Sequence, residues 1–192
     1  MKNILIGLII LGLVFASAQD FVAEPSGYSV YTYAITSDDA GCNLIDGIEF
    51  EGIGYDEVIF YGGTVMKCQE GVDYMKSTAI SGMDSYIAYD EMMPMTKSTS
   101  YLNGIEVTKY EFEDEMYGMY NGIYVYSSGD YLIFMSCLNE EGGTAAYGKQ
   151  ECSKILSEHT AKAGGGIGSA ESCCGSVFIL LGIAFGAFLV KR

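Results

Sequence analysis

IYVYSSGDYLIFMSC, Ile123 to Cys137, decides how this chain folds. Ile123–Tyr126 and Tyr131–Cys137 are runs of aromatic and aliphatic residues, the composition of strands that pack a pleated, half-buried surface. Between them, Ser127-Ser128-Gly129-Asp130 supplies the small and polar residues of a tight connection. The segment therefore reads as an antiparallel hairpin. Upstream, Ile105–Phe112 sets Ile, Val, Lys and Glu against Glu, Thr, Tyr and Phe, a period-two pattern that adds a third strand.

Further out, Tyr28–Ile35 (YSVYTYAI) is another tyrosine-rich strand. Asp56–Tyr61 and Thr64–Cys68 flank Gly62-Gly63, which reads as a two-residue hairpin turn. Two stretches carry helical spacing. Val72, Met75, Ala79 and Ile80 recur in Gly71–Ser81. In Thr144–Lys162, Cys152, Ile155, Leu156 and His159 share one face, with Lys149, Glu151 and Lys154 elsewhere. The expected order is strand, hairpin, helix, irregular segment, three strands, helix. That is an α+β fold, a twisted antiparallel sheet with helices on one face.

The ends of the chain differ from its middle. Met1-Lys2-Asn3 leads into the apolar run Ile4–Phe15 and then Ala16-Ser17-Ala18, the layout of a signal peptide (residues 1–18) cut after Ala18. Residues 19–162 form the expected extracytoplasmic domain, and 163–174 a glycine- and serine-rich linker. Residues 175–190 are uncharged and almost wholly apolar and read as a transmembrane anchor, with Lys191-Arg192 as a basic cytoplasmic end. Sixteen residues make about 24 Å of helix against a hydrocarbon core of about 30 Å, so the span is short and suits a thin bilayer or snorkelling of the two terminal cations. The expected location is the cell membrane, single-pass, with the domain on the outer side. Linker, apolar segment and basic end together resemble the C-terminal sorting signals of prokaryotic surface proteins, in which the tail is exchanged for another anchor. Gly182 and Gly186 stand four apart within the tail, a spacing that permits a helix pair, and Cys173 and Cys174 precede them. The expected partners are the membrane, through this helix, and a protein partner or a second copy of the chain.

Charge excludes some functions. All 25 acidic residues lie between the apolar ends, against seven lysines there, a balance of −18. Nucleic acid and anionic lipid would both be repelled. Among the cysteines, Cys42, Cys68, Cys137 and Cys152 fall inside the domain, an even number in an exported chain, so two disulfides are expected. Three pairings are open; Cys42–Cys68 with Cys137–Cys152 is preferred because each ties neighbouring elements. No Cys-x-x-Cys pair marks a zinc site, and no metal or cofactor is expected.

No residue is assigned a catalytic role. His159 is the only histidine, and its place late in a helix suggests a surface or helix-end residue. There is no Gly-x-Ser-x-Gly, His-Glu-x-x-His or phosphate-binding loop. Two acidic clusters are the remaining opening for chemistry: Asp46, Glu49, Glu51, Asp56 and Glu57, then Glu111, Glu113, Asp114 and Glu115. A carboxylate pair serves a glycosidase and several hold calcium, but neither cluster has EF-hand spacing.

Gly104–Lys162 runs strand, strand, turn, strand, glycine-rich loop and a terminal helix carrying Lys154-Ile155-Leu156-Ser157. In this it resembles the closing half of PsbP-like and DcrB-like domains, small extracytoplasmic α+β modules. The resemblance implies a non-catalytic binding or assembly role. Candidate binding residues are Met93 and Met95 in Met92-Met93-Pro94-Met95, and Met116, Tyr117, Met119 and Tyr120 around Gly118, since Met and Tyr bury area and adapt their shape. The expected function is a membrane-anchored binding module without catalytic activity. The alternatives are a tethered hydrolase using an Asp/Glu pair and a self-associating envelope protein.

Overall fold

The computed structural model describes residues 16–54, 58–89, 94–139 and 143–164. Most of the expected signal peptide, the expected anchor and Met93 lie outside these. Among the described residues, no helix is long and apolar enough to cross a membrane.

Seven strands form one antiparallel sheet: β1 (Tyr28–Ala34), β2 (Leu44–Gly54), β3 (Ile59–Cys68), β4 (Thr96–Leu102), β5 (Ile105–Asp114), β6 (Met119–Ser128) and β7 (Tyr131–Asn139). Their spatial order is β1-β2-β3-β7-β6-β5-β4. The sheet is thus two meanders, β1-β2-β3 and β4-β5-β6-β7, joined by the pairing of β3 with β7. A one-turn helix, α1 (Ser37–Ala40), links β1 to β2. α2 (Val72–Tyr89) follows the first meander and α3 (145–164) the second.

The α+β antiparallel architecture is as expected, but the two long helices do not share a face. On β7, Tyr131, Ile133, Met135 and Cys137 enter one core with Cys152, Ile155 and Leu156 of α3. The alternate residue Leu132 enters another with Met75 of α2, where Phe134, Ala79 and Ile80 pack around it. Successive strand side chains point to opposite faces, so α3 and α2 cover opposite sides of the sheet. The physical reason is that β6 and β7 are apolar at both parities. Such strands must be covered twice.

Gly62-Gly63 is not a turn. Both glycines lie inside β3, paired on one side with β2 and on the other with β7. A side chain at Gly63 would bring its Cβ to 2.0 Å from the Phe134 carbonyl oxygen. The glycine therefore marks a close approach of neighbouring backbone, one of the uses of glycine inside a strand. The partner of β3 is instead β2, a strand hidden by Asp46, Glu49, Glu51 and three glycines. β2 survives this composition because it is internal and Gly52 lies under the Tyr61 ring of the facing strand.

The stretch between Ser81 and Ile105, read from the sequence as irregular, is more regular than expected where it is described. α2 continues past Ser81 to Tyr89, with Met83 and Ile87 extending its apolar face. Gly82 costs such a helix about 1 kcal/mol relative to alanine, which packing on the sheet offsets. Tyr110 of β5 reaches up to this extension, its hydroxyl 2.8 Å from Asp84 Oδ1. β4 then forms the sheet edge, a polar strand (TKSTSYL) of the kind that discourages edge-to-edge association.

The domain is wider than its compositional boundaries. Ala18 begins a short 3-10 helix, Ala18–Phe21, and is 1% exposed. Ala163, placed in the linker by composition, is helical and fully buried. Its carbonyl accepts a hydrogen bond from Ser128 Oγ at 3.0 Å.

Both disulfides have the preferred pairing, with Cα separations of 6.1 Å for Cys42–Cys68 and 5.7 Å for Cys137–Cys152. The second ties β7 to α3. Loop-closure entropy gives about 3 kcal/mol to a bridge over so short a loop, and the two loops, spanning 26 and 15 residues, differ little on that account. Burial separates them: Cys137 and Cys152 are fully buried, whereas Cys42 is half exposed. Replacing both Cys137 and Cys152 by serine should therefore destabilise the domain more than the same change at Cys42 and Cys68, measured by urea unfolding. Gly63→Ala should cost about 3 kcal/mol or more in the same assay, because the clash is with backbone that cannot swing away; a cost under about 1 kcal/mol would contradict the close approach.

Candidate binding surface

The strands give the domain two poles about 30 Å apart, the length of nine or ten extended residues. One pole gathers the start of the described chain, the β4–β5 and β6–β7 turns and the end of α3. Ala18 donates its N–H to Asp46 there, and Gly164 packs beside Asn103. The opposite pole carries the β5–β6 turn, residues 115–118.

That turn is built from its own sequence. Asp114 Oδ1 accepts the N–H of Met116 at 2.9 Å and of Tyr117 at 3.1 Å, an Asx-type closure. Gly118 takes φ +66, the left-handed conformation that glycine adopts without strain. The base is braced by Asn139, which is 2% exposed. Its Nδ2 donates to the Gly118 carbonyl at 2.7 Å, and its Oδ1 accepts the Tyr120 N–H. Lys149 of α3 pairs with Glu113. On this braced base, Met116 is 84% exposed, Tyr117 70% and Met119 40%. An apolar tip held rigidly and left in water is the informative kind of exposure.

Tyr120 and Met95, also predicted from the sequence as binding residues, are not at this tip. Tyr120 is buried on the α3 face, its hydroxyl 2.7 Å from Glu111 Oε1 and 2.8 Å from the Tyr124 hydroxyl. The strand's period of two turns it inward while Met119 faces out. Met95 is half buried and packs against the α2-side core. Met93 lies outside the described residues.

A second surface was not visible in the sequence. Between α2 and the sheet lies an open cleft of about 360 Å³, floored by Met66, Leu132 and Phe134, walled by Met75 and Ala79, with Glu70 and Tyr74 at its rim. It arises only because α2 crosses the sheet at this place. Its size is at the lower end for small-molecule sites.

Four residues of the acidic clusters, Asp46, Glu111, Glu113 and Asp114, are engaged structurally. Asp46 accepts from Ala18 N–H and the Tyr131 hydroxyl, while Glu111 and Asp114 are committed as described. A shallow depression beside α2 brings together Asp73, Asp84 and Glu106 with Lys76. Hydrogen bonds from Lys97, then Tyr110, hold the Asp84 carboxyl below its ordinary range. Tyr101, then Lys76, do the same for Glu106. A glycosidase acid needs the opposite, a raised carboxyl. Cys42, Cys68 and Glu70 come within ligand distance of one another, the one such grouping among the described residues, but both sulfurs are consumed by their disulfide.

His159 is neither a surface nor a helix-end residue. It is fully buried, stacked on Phe50 at 5.1 Å and edge-on to Tyr61 at 5.6 Å. Burial, aided by the charge of Lys162, brings its pKa down to about 4 from 6.5. The imidazole is thus a neutral core ring with no access to a substrate.

The chain matches no family model, no curated protein and no solved structure. The class of molecule is therefore set by the fold alone: a seven-stranded antiparallel sheet covered by one helix on each face, with an apolar tip at one pole.

His159 makes stability depend on pH. The folded pKa lies below the unfolded one, so the unfolded chain binds the proton first as pH falls. The contribution is fully present above about pH 6.5 and is lost progressively toward pH 4, with a ceiling of roughly 3 kcal/mol. Urea unfolding between pH 7 and 5 should show this loss, and His159→Leu should flatten that part of the profile.

Proposed function

We propose that the chain is an exported, membrane-tethered binding module without catalytic activity, which holds the β5–β6 tip away from the membrane for a protein partner. The observation that carries this reading is polarity. The described chain ends leave at one pole, and Met116, Tyr117 and Met119 are exposed at the other. A tail anchored through residues 175–190 would then place the tip about 30 Å outward of the anchored pole.

The apolar segments 4–15 and 175–190 and the two disulfides support export and tethering. The lowered Asp84 and Glu106 carboxyls and the sealed His159 favour a binder over a hydrolase. The tip sets the partner's chemistry. Met and Tyr ask for an apolar pocket, and the adjacent Glu113, Asp114 and Glu115 ask for a basic rim around it.

The test is a photo-crosslinking amino acid at position 117 in the full-length chain in its native membrane, with position 101 as control. Tyr101 is 71% exposed but belongs to the β4–β5 end. Position 117 should give a discrete crosslinked protein and position 101 none, and Met116→Asp should reduce the yield at least fivefold. A product of twice the chain mass would instead support self-association. Equal labelling at both positions would end the proposal.

A further inference from the structure

We propose that export processing hydrolyses the Ala16–Ser17 bond, so that the mature domain begins with Ser17, two residues upstream of the bond that the Ala16-Ser17-Ala18 pattern selects. The inference rests on the export reading of the N-terminal segment and specifies its outcome. Its basis is the use the fold makes of Ser17 and Ala18.

Ala18 is 1% exposed and sits in the α3-side core with Phe21 and Val22. Its N–H donates to Asp46 Oδ2 at 2.7 Å, and the same oxygen accepts the Tyr131 hydroxyl at 2.8 Å. Ser17 caps the 3-10 helix. Its N–H donates to Asp20 Oδ2 at 2.7 Å, and its carbonyl accepts the Asp20 N–H at 2.9 Å. The helix so fixed places the Phe21 ring 4.7 Å from that of Tyr131. Cutting after Ala18 would remove this cap and take from Asp46 one of its two partners, at a partly buried carboxylate where a missing partner is costly.

Cutting after Ala16 removes nothing comparable. Ala16 is exposed, and its carbonyl accepts from the Tyr131 hydroxyl at 2.8 Å. A phenol has a single proton to donate, and Asp46 stands at the same distance to receive it. Ala16 also supplies the small residue that a signal peptidase requires before the scissile bond. Water adds across that bond and the C–N bond breaks, leaving a carboxylate on Ala16 and an ammonium on Ser17. The new ammonium takes the place of the Ser17 N–H beside Asp20, turning a neutral donor into a charged one. The peptidase acts on the emerging chain, so the fold does not steer it; the fold shows which residues the mature domain uses.

The test is N-terminal sequencing and intact mass of the full chain purified from the membranes of an exporting host. Ser17 as first residue supports the inference. Ala18 or Gln19 as first residue overturns it and leaves the export reading standing, whereas retained Met1 overturns both. In a second arm, Ala18→Leu puts a large residue before the pattern-selected bond. The chain should still begin at Ser17 with an unchanged processed fraction, and a fall of more than twofold in that fraction overturns the inference. This readout is a terminal sequence and needs no folded product.

Discussion

The pairing of β3 with β7 is the constraint on which the rest depends. It joins two meanders that are otherwise separate, and it places the most apolar strand of the chain at the centre of the sheet. The join requires glycine at position 63, because the Phe134 carbonyl occupies the space a side chain would take. Once β7 is central, both of its faces must be covered. The helix following each meander lies on a different side, and the disulfide from Cys137 to Cys152 holds α3 to the central strand.

The two cores that result are chemically unlike. The α3 side is a layer of tyrosines (Tyr61, Tyr120, Tyr124, Tyr126 and Tyr131) with Phe50 and the neutral His159. Burial raises the phenols of Tyr120, Tyr124 and Tyr126 well above their ordinary range, so they remain uncharged. The α2 side mixes methionine and aliphatic side chains with Tyr110 and Phe134 and remains partly open as the cleft beside Glu70. Rigid packing on one side and adaptable residues on the other follow from which helix each face receives.

Polarity links this architecture to function. An antiparallel sheet of seven nearly equal strands sends alternate connections to opposite poles. β1 begins and β7 ends at the pole of the β5–β6 turn; α3 then runs back along the sheet, and the segment before β1 does the same, so both described ends meet at the other pole. Tethering at that pole leaves the braced β5–β6 turn at the opposite end of the sheet. Its exposed Met and Tyr are affordable in water because Asp114, Gly118 and Asn139 hold the backbone whether or not a partner is present.

Much of this was legible in the residues themselves. The strands β5, β6 and β7 and the apolar face of α3 follow from local pattern, and the cysteine pairing preferred from spacing among three open ones is the one formed. Period, turn chemistry and spacing are properties of neighbouring residues. What the tertiary structure decided was whatever depends on a distant partner. Gly62-Gly63 reads as a turn until β7 lies beside it, and β2 reads as an acidic loop until Tyr61 covers Gly52. Tyr120 and Met119 look alike in sequence, and only the strand pairing with β5 and the α3-side core turn one inward. His159 is a polar residue until Phe50 and Tyr61 enclose it. The same logic sets the domain's edges: Ala18 and Ala163 are small residues that composition assigns to a cleavage site and a linker, and only packing against the sheet makes them core.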